Sequence, residues 1–120
     1  MKTILVIEDN PDNMDLMEEI LEDAGYGVLK AGLAEEGIRL LRERGADLVL
    51  MDISLPRMSG LEATAIIKGD GVLKGIPVVA LTAHAMPSDR RAALEGGCEA
   101  FLTKPVDEAL LMETLERLLG

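Results

Sequence analysis

Five side chains in this 120-residue chain are of types that manage phosphoryl groups and hard cations: the carboxylates Glu8, Asp9 and Asp52, the hydroxyl of Thr82 and the ammonium of Lys104. A carboxylate can attack phosphorus and carry an acyl phosphate, while a metal ion and a lysine neutralise the oxygens of the group in transfer. Gathered at one place, the acids need compensation. Two carboxylates about 4 Å apart repel by roughly 4 kcal/mol at an effective dielectric near 20, and one lysine does not offset three of them. A divalent cation does, and an all-oxygen donor set of carboxylates, a carbonyl and waters selects Mg²⁺ over softer metals that prefer His or Cys. Lys104 is then free to meet an incoming anion. Asp52 is the best-placed nucleophile, standing alone in the middle of the row, with Glu8 and Asp9 as metal-holding or water-holding groups. Thr82 offers its hydroxyl to a phosphoryl oxygen. Taken singly, each residue has a plainer reading, since an acid after a strand is most often a helix cap or a solvated turn. Only a shared location makes them a site.

That location depends on the elements that carry them. "TILVI" (Thr3 to Ile7), "GVLKA" (Gly27 to Ala31), "DLVLM" (Asp47 to Met51), "PVVAL" (Pro77 to Leu81) and "EAFLT" (Glu99 to Thr103) read as strands. Each is followed by a segment with apolar residues at helical spacing. In the first helix Met14, Met17, Ile20, Leu21 and Ala24 share a face, and in the last Leu110, Leu111, Leu115, Leu118 and Leu119 do. Asn10 before Pro11 suits an N-cap with proline at the first helical position, and Ser59 to Glu62 has the spacing of a capping box. Gly25, Gly45, Gly69 and Gly96 stand where helices should end.

Five βα units predict parallel strands, because each helix supplies the crossover that parallel pairing requires. The first, third and fourth strands are almost continuously apolar, as strands covered on both faces are; the second and fifth are the edge candidates. The expected fold is α/β, a doubly wound five-stranded parallel sheet of flavodoxin-like (βα)5 form with strand order 2-1-3-4-5, one domain over residues 1–120. In such a sheet the ligand site lies outside the carboxyl ends of the strands, where strand order reverses. Glu8 and Asp9 follow the first strand, Asp52 the third, Thr82 the fourth, and Lys104 with Pro105 the fifth. The order 2-1-3-4-5 makes these four strands contiguous.

Composition limits the alternatives. The net charge of -10 argues against a nucleic-acid partner, which draws on clustered Lys and Arg. The opening apolar run is too short for a signal peptide and no stretch approaches a membrane span, so no membrane partner is expected. A single cysteine, Cys98, fits a reducing cytoplasm and reads as a small core residue rather than a nucleophile. With one Phe, one Tyr and no Trp, the core is aliphatic and methionine-filled.

The segments "VIEDN", "VLMDISLPRMSGLE", "PVVALTAHA" and "GGCEAFLTKP", in this order and spacing, resemble the response-regulator receiver domain over essentially the whole chain. The pattern is similar to single-domain regulators of the CheY and DivK type and to the receivers of hybrid histidine kinases. The resemblance implies a two-component phosphorelay switch in which Asp52 takes a phosphoryl group from a phosphohistidine on a histidine kinase or histidine phosphotransfer protein. It implies Mg²⁺ held by Asp9, Asp52 and the backbone carbonyl of Ser54, with Glu8 acting through water, and Thr82 and Lys104 on the phosphoryl oxygens. The Lys104–Pro105 peptide would be cis, a state that proline makes accessible. Phosphorylation would draw Thr82 inward and let Phe101 rotate behind it, changing the surface of the fourth helix, fifth strand and fifth helix that a downstream protein binds.

Some positions depart from the commonest pattern of that family. Phe101 stands where Tyr is more usual, so the switch there depends on packing instead of a hydroxyl hydrogen bond. Glu8 replaces a frequent Asp and lengthens the reach to the metal's water. His84 either tunes water access to the acyl phosphate or is an exposed loop residue, and small Ser54 would leave the site open to hydrolytic water. Such a domain catalyses its own phosphoryl transfer and dephosphorylation without turning over a metabolite. Two other classes are weighed against it. A phosphatase of the haloacid dehalogenase type also uses Asp, Mg²⁺ and Lys, but it needs a second Asp two residues past the nucleophile, where this chain has Ser54. A receiver-like interaction module that takes no phosphate would not need the full set of five residues. Met1 directly before the first strand favours a complete chain; if it is complete, no output domain follows Gly120, and signalling would pass through protein contacts or the domain would be an intermediate in a relay.

Overall fold

The computed structural model describes residues 1–83 and 86–120. Five strands, β1 (Thr3–Ile7), β2 (Gly27–Ala31), β3 (Leu48–Asp52), β4 (Val78–Thr82) and β5 (Ala100–Thr103), form one parallel sheet in the order β2-β1-β3-β4-β5. Helices α1 (Pro11–Asp23), α2 (Ala34–Arg44), α3 (Gly60–Gly69), α4 (Pro87–Glu95) and α5 (Glu108–Leu119) cover it. The expected order and the edge positions of β2 and β5 are those observed. No described helix is long and apolar enough to cross a membrane.

The period-2 alternation of strand side chains sorts the aliphatic residues into two cores. Leu5, Ile7, Val49, Met51, Val78 and Ala80 face α2, α3 and α4, meeting Ile38, Leu41, Ile67 and Ala93. Ile4, Val6, Leu48, Leu50, Val79 and Leu81 face the other way and meet Met14, Met17 and Leu21 of α1 and Leu111 and Leu115 of α5. Burying each large aliphatic side chain contributes about 1.5–3 kcal/mol, so the three central strands are fixed from both sides.

The helix punctuation follows the sequence. Asn10 Oδ1 accepts the Asn13 N–H at 3.0 Å with Pro11 opening α1. At α3, Ser59 Oγ accepts the Glu62 N–H and Glu62 Oε1 accepts the Ser59 N–H, both at 3.2 Å, completing the capping box. Gly45 closes α2 at φ 72°, a left-handed value that favours glycine.

The structure moves some expected boundaries. β3 and β4 each run one residue later than their apolar runs, taking in Asp52 and Thr82 and leaving out Asp47 and Pro77. Pro77 has no N–H to donate to a ladder. At the other end, the Ile53 N–H reaches the Leu81 carbonyl at 3.0 Å and the Lys104 N–H reaches the Thr82 carbonyl at 2.8 Å, extending the pairing past Asp52 and Thr82. Ala24 and Leu110, expected on the buried faces of their helices, are exposed. Ala24 is the C-cap of α1, beyond its last helical turn, and Leu110 lies in the first turn of α5, at the open rim of a groove beside β5.

Candidate phosphoryl-transfer site

At the carboxyl edge of the sheet the ends of β1, β3, β4 and β5 bring Glu8, Asp52, Thr82 and Lys104 together. Asp52 is 5% exposed, Glu8 4% and Thr82 1%, whereas Asp9 lies open to solvent. Carboxylate oxygens of Glu8, Asp9 and Asp52 lie within 4.8 Å of one another. The ladder fixes their backbones: Ile7 is in register with Met51, Asp52 with Leu81, and Thr82 with Thr103. The Glu8 N–H also bonds the Ala31 carbonyl at 3.0 Å.

Each buried carboxylate has donors on both oxygens. Asp52 Oδ1 accepts the Ser54 N–H at 2.8 Å, and Oδ2 accepts from the Lys104 ammonium at 2.9 Å. Glu8 Oε2 accepts the Asn10 N–H at 3.1 Å, and Oε1 makes a short bond with the same ammonium. Lys104 therefore bridges the ends of β1 and β3 from its own position past β5. The peptide joining it to Pro105 is cis.

The electrostatics reflect this crowding. Burial pushes the Glu8 carboxyl above its ordinary range, and the opposing pull of Lys104 and the Asn10 N–H does not cancel it. For Lys104, burial works against the charge, but the bonds to Glu8 and Asp52 outweigh it and the ammonium is held above its usual value. With the three acids ionised, one ammonium leaves two negative charges without a partner. Hard oxygen donors at this spacing, one of them solvent-facing, fit a small divalent cation such as Mg²⁺.

Of the remaining expected residues, Ser54 is exposed on the loop after β3, with its N–H spent on Asp52. Phe101 is half-buried in β5 and packs against the core under α4. His84 lies outside the described residues. Cys98 is buried, its Sγ 3.7 Å from Thr64 Oγ1, and burial raises its thiol pKa.

Gly60 is a positioning residue that the sequence reading passed over. A Cβ there would stand 2.6 Å from both the Asp52 carbonyl oxygen and the Ile53 Cα, so α3 starts directly against the backbone that carries Asp52. The signal was present in "SGLE", where the glycine follows the capping serine. Next to it Arg57 adopts φ 67°, and its guanidinium pairs with Glu35 Oε2 at 3.2 Å across the loop.

Known proteins share this arrangement. The sequence profile of the response regulator receiver domain matches residues 4–116. The polar-differentiation response regulator DivK of Brucella ovis is 42% identical over 119 residues, which cover 99% of this chain and 97% of that protein. The signal receiver domain of a signal transduction histidine kinase from Syntrophus aciditrophicus superposes with a TM-score of 0.91 at 34% identity, covering 99% of this chain and 90% of the other. The receiver domain of the sensor histidine kinase PA1611 from Pseudomonas aeruginosa PAO1, solved with a magnesium ion coordinated in its active site cleft, gives 0.92 at 34% identity, covering 99% and 98%. A profile spanning nearly the whole chain and a full-length relative at this identity place the chain in the response regulator receiver domain family of two-component signalling.

Proposed function

We propose that this receiver domain, taken as residues 1–120, is a phosphorylation-dependent switch in which Asp52 accepts a phosphoryl group from a phosphohistidine. The observation that carries the reading is the environment of Asp52: a buried carboxylate at a strand end, oriented by the Ser54 N–H and the Lys104 ammonium, with two further carboxylates beside it. An Asp52 oxygen attacks phosphorus in line with the departing imidazole nitrogen. The O–P bond forms as the N–P bond breaks, and the nitrogen keeps the electron pair and takes up a proton. Lys104 and the Thr82 hydroxyl hold phosphoryl oxygens, replacing charge that the resting ion pairs supply.

Asp9, Asp52 and the Ser54 carbonyl would hold Mg²⁺, with Glu8 acting through water. Bound there, the ion offsets negative charge on the transferring oxygens. In the resting protein Lys104 is engaged by Glu8 and Asp52, so phosphorylation must redistribute these bonds. That change passes through Thr82 to Phe101, which shares β5 with Leu102 beneath α4, and shifts the population of a form whose α4-β5-α5 surface binds a downstream protein. Hydrolysis of the acyl phosphate by water resets the switch, aided by the exposed loop at Ser54; His84 is the candidate for tuning that water's access. The donor is a histidine kinase or histidine phosphotransfer protein, and the setting is the cytoplasm, where Cys98 stays reduced.

Intact-protein mass measurement after incubation with Mg²⁺ and acetyl phosphate tests this reading. One added phosphoryl group, absent in Asp52→Asn, is the expected result. The reading fails if no donor produces an adduct, or if the adduct persists in Asp52→Asn.

A further inference from the structure

Three of the exposed large apolar side chains meet on one face. Met86 is 63% exposed, Leu110 47% and Leu94 40%, and all three border two adjoining grooves that share Phe101 of β5 as their floor. Arg90 lines both grooves and Arg117 lines one, and neither forms an ion pair among the described residues. Among the described residues that line them the one acid, Glu99, is already spent: its Oε1 takes the Lys68 ammonium and its Oε2 the Val78 N–H, both at 2.6 Å. On a chain of net charge -10, this face offers two unneutralised guanidiniums around an apolar floor.

From this juxtaposition we propose that the α4-β5-α5 face binds a short acidic segment of a partner protein, with aliphatic or aromatic side chains anchored over Phe101 and carboxylates on Arg90 and Arg117. The inference rests on the switch reading above and adds the chemistry of its downstream partner. Arginine forks match carboxylates in paired geometry, and apolar anchors ringed by such contacts are how small interfaces gain affinity. The overall charge excludes extended polyanions. A nucleic acid or an anionic membrane would lie over far more of the surface than this face and meet the acids of a chain of net charge -10, whereas a short segment with a few carboxylates feels only charges within a Debye length of about 8 Å, the local arginines among them. A second copy fits less well, because a two-fold contact sets the same face against itself and brings Arg90 and Arg117 of one copy toward those of the other.

Selection from a displayed library of random 12-residue peptides, against protein held with Mg²⁺ and acetyl phosphate, tests the partner chemistry. Intact mass in the same samples reports the Asp52 adduct. The expected binders are rich in Asp and Glu with one to three Leu, Met or Phe, and they perturb amide signals of α4, β5 and α5. They should bind at least tenfold more weakly to Arg90→Ala/Arg117→Ala, and Arg90→Glu/Arg117→Glu should select basic peptides instead. Neutral or basic binders to the unmodified protein, binders mapping elsewhere, or no binders at all while the adduct is present would overturn the inference and leave the switch standing. So would binding only to phosphatidylserine vesicles, or a concentration-dependent dimer that buries this face. Absence of the adduct would instead remove the switch reading on which the inference rests.

Discussion

Lys104 Nζ lies 2.9 Å from Asp52 Oδ2, so the ammonium from the end of β5 already neutralises the candidate phosphoacceptor in the resting protein. The same group bonds Glu8, whose side chain is 3% exposed. Lysine and a divalent cation therefore compete for the same carboxylates. Replacing Lys104 by Met should tighten Mg²⁺ binding by about tenfold or more, because like charges this close repel by more than the 1.4 kcal/mol that a decade represents. Calorimetric titration of Mg²⁺ measures it. The same variant should lose about 1–3 kcal/mol of stability without Mg²⁺, since two buried carboxylates lose their donor, and should regain part of it when the ion is added. Phosphorylation should fall even as metal affinity rises, and weaker Mg²⁺ binding would contradict the competition.

Gly60 and Gly37 make a contrasting pair. At Gly60 an added Cβ meets the backbone of Asp52 and Ile53 at 2.6 Å, and neither can retreat without moving the site. At Gly37 it meets the Ile7 side chain, at Cγ1 2.7 Å away and closer still at Cδ1, atoms that a rotamer change can move. Gly60→Ala should therefore cost about 1–3 kcal/mol and impair phosphorylation. Gly37→Ala should cost less, since the helix regains about 1 kcal/mol from alanine's propensity, and should leave phosphorylation intact. Urea denaturation of both variants and the mass assay check this; equal effects on phosphorylation would count against a positioning role for Gly60.

These contacts show what periodicity does and does not reveal. Apolar runs at Leu48–Met51 and Val78–Leu81 identify central strands, and the number of βα units fixes where their carboxyl ends converge; Asp52 and Thr82 therefore reach one edge by topology alone. Which bonds form there is not periodic information. Lys104 bonds Glu8, 96 residues earlier in the chain, a pairing that no spacing in the sequence announces. The strand ends also slipped by one residue, because hydrophobicity stops at Met51 while backbone pairing continues through Ile53. Leu110 departs for a related reason: helical spacing places it on a stripe with Leu111, but only the packed structure shows that Leu111 is buried while Leu110 stays at the open rim of a groove beside β5.

Alkaline pH should loosen the fold in part through Cys98. Burial raises its thiol pKa above the ordinary value, so on titration the unfolded chain gives up the proton first. The corresponding stability is fully present below the unfolded thiol's pKa and is lost as pH rises through the folded one. Lys104, also raised, adds a loss of the same sign at higher pH. Cys98→Ala should flatten the first part of this decline in denaturation curves taken at increasing pH. Native Cys98 should react with iodoacetamide about a thousandfold or more slowly than in urea, because reaction waits for a rarely populated open form. Rapid native labelling would show the thiol to be accessible.

Arg57 reverses the usual ranking of alanine over glycine. Its φ of 67° costs an L-residue about 1–2 kcal/mol, and its ion pair with Glu35, both partners substantially exposed, returns at most about 1 kcal/mol. Arg57→Ala keeps the strain and loses the pair, whereas Arg57→Gly loses both. The glycine variant should be the more stable of the two by about 1 kcal/mol and close to the parent protein. Thermal melts of the pair decide it, and an alanine variant at least as stable as glycine would mean the loop relaxes out of the left-handed region.

A final prediction separates folding from signalling. Lys68 donates to the Ile76 carbonyl at 2.8 Å, the Lys74 carbonyl at 3.2 Å and Glu99 Oε1 at 2.6 Å, while Glu99 Oε2 accepts the Val78 N–H. One ammonium thus ties the end of α3 to the entrances of β4 and β5, at the sheet edge opposite Asp52. Lys68→Met keeps the methylene stem beside Gly97 but leaves two carbonyls and one oxygen of the Glu99 carboxylate without this donor, a loss of about 2 kcal/mol. Adding Glu99→Gln should not add its full cost, because the two changes share one network, and the coupling should exceed about 0.5 kcal/mol. Because this clamp touches no residue at the carboxyl edge, the Asp52 adduct should form at an unchanged rate in whatever fraction remains folded. A slowed adduct in fully folded Lys68→Met would mean that strain at the entrances of β4 and β5 reaches Thr82 and Lys104 through the strands themselves.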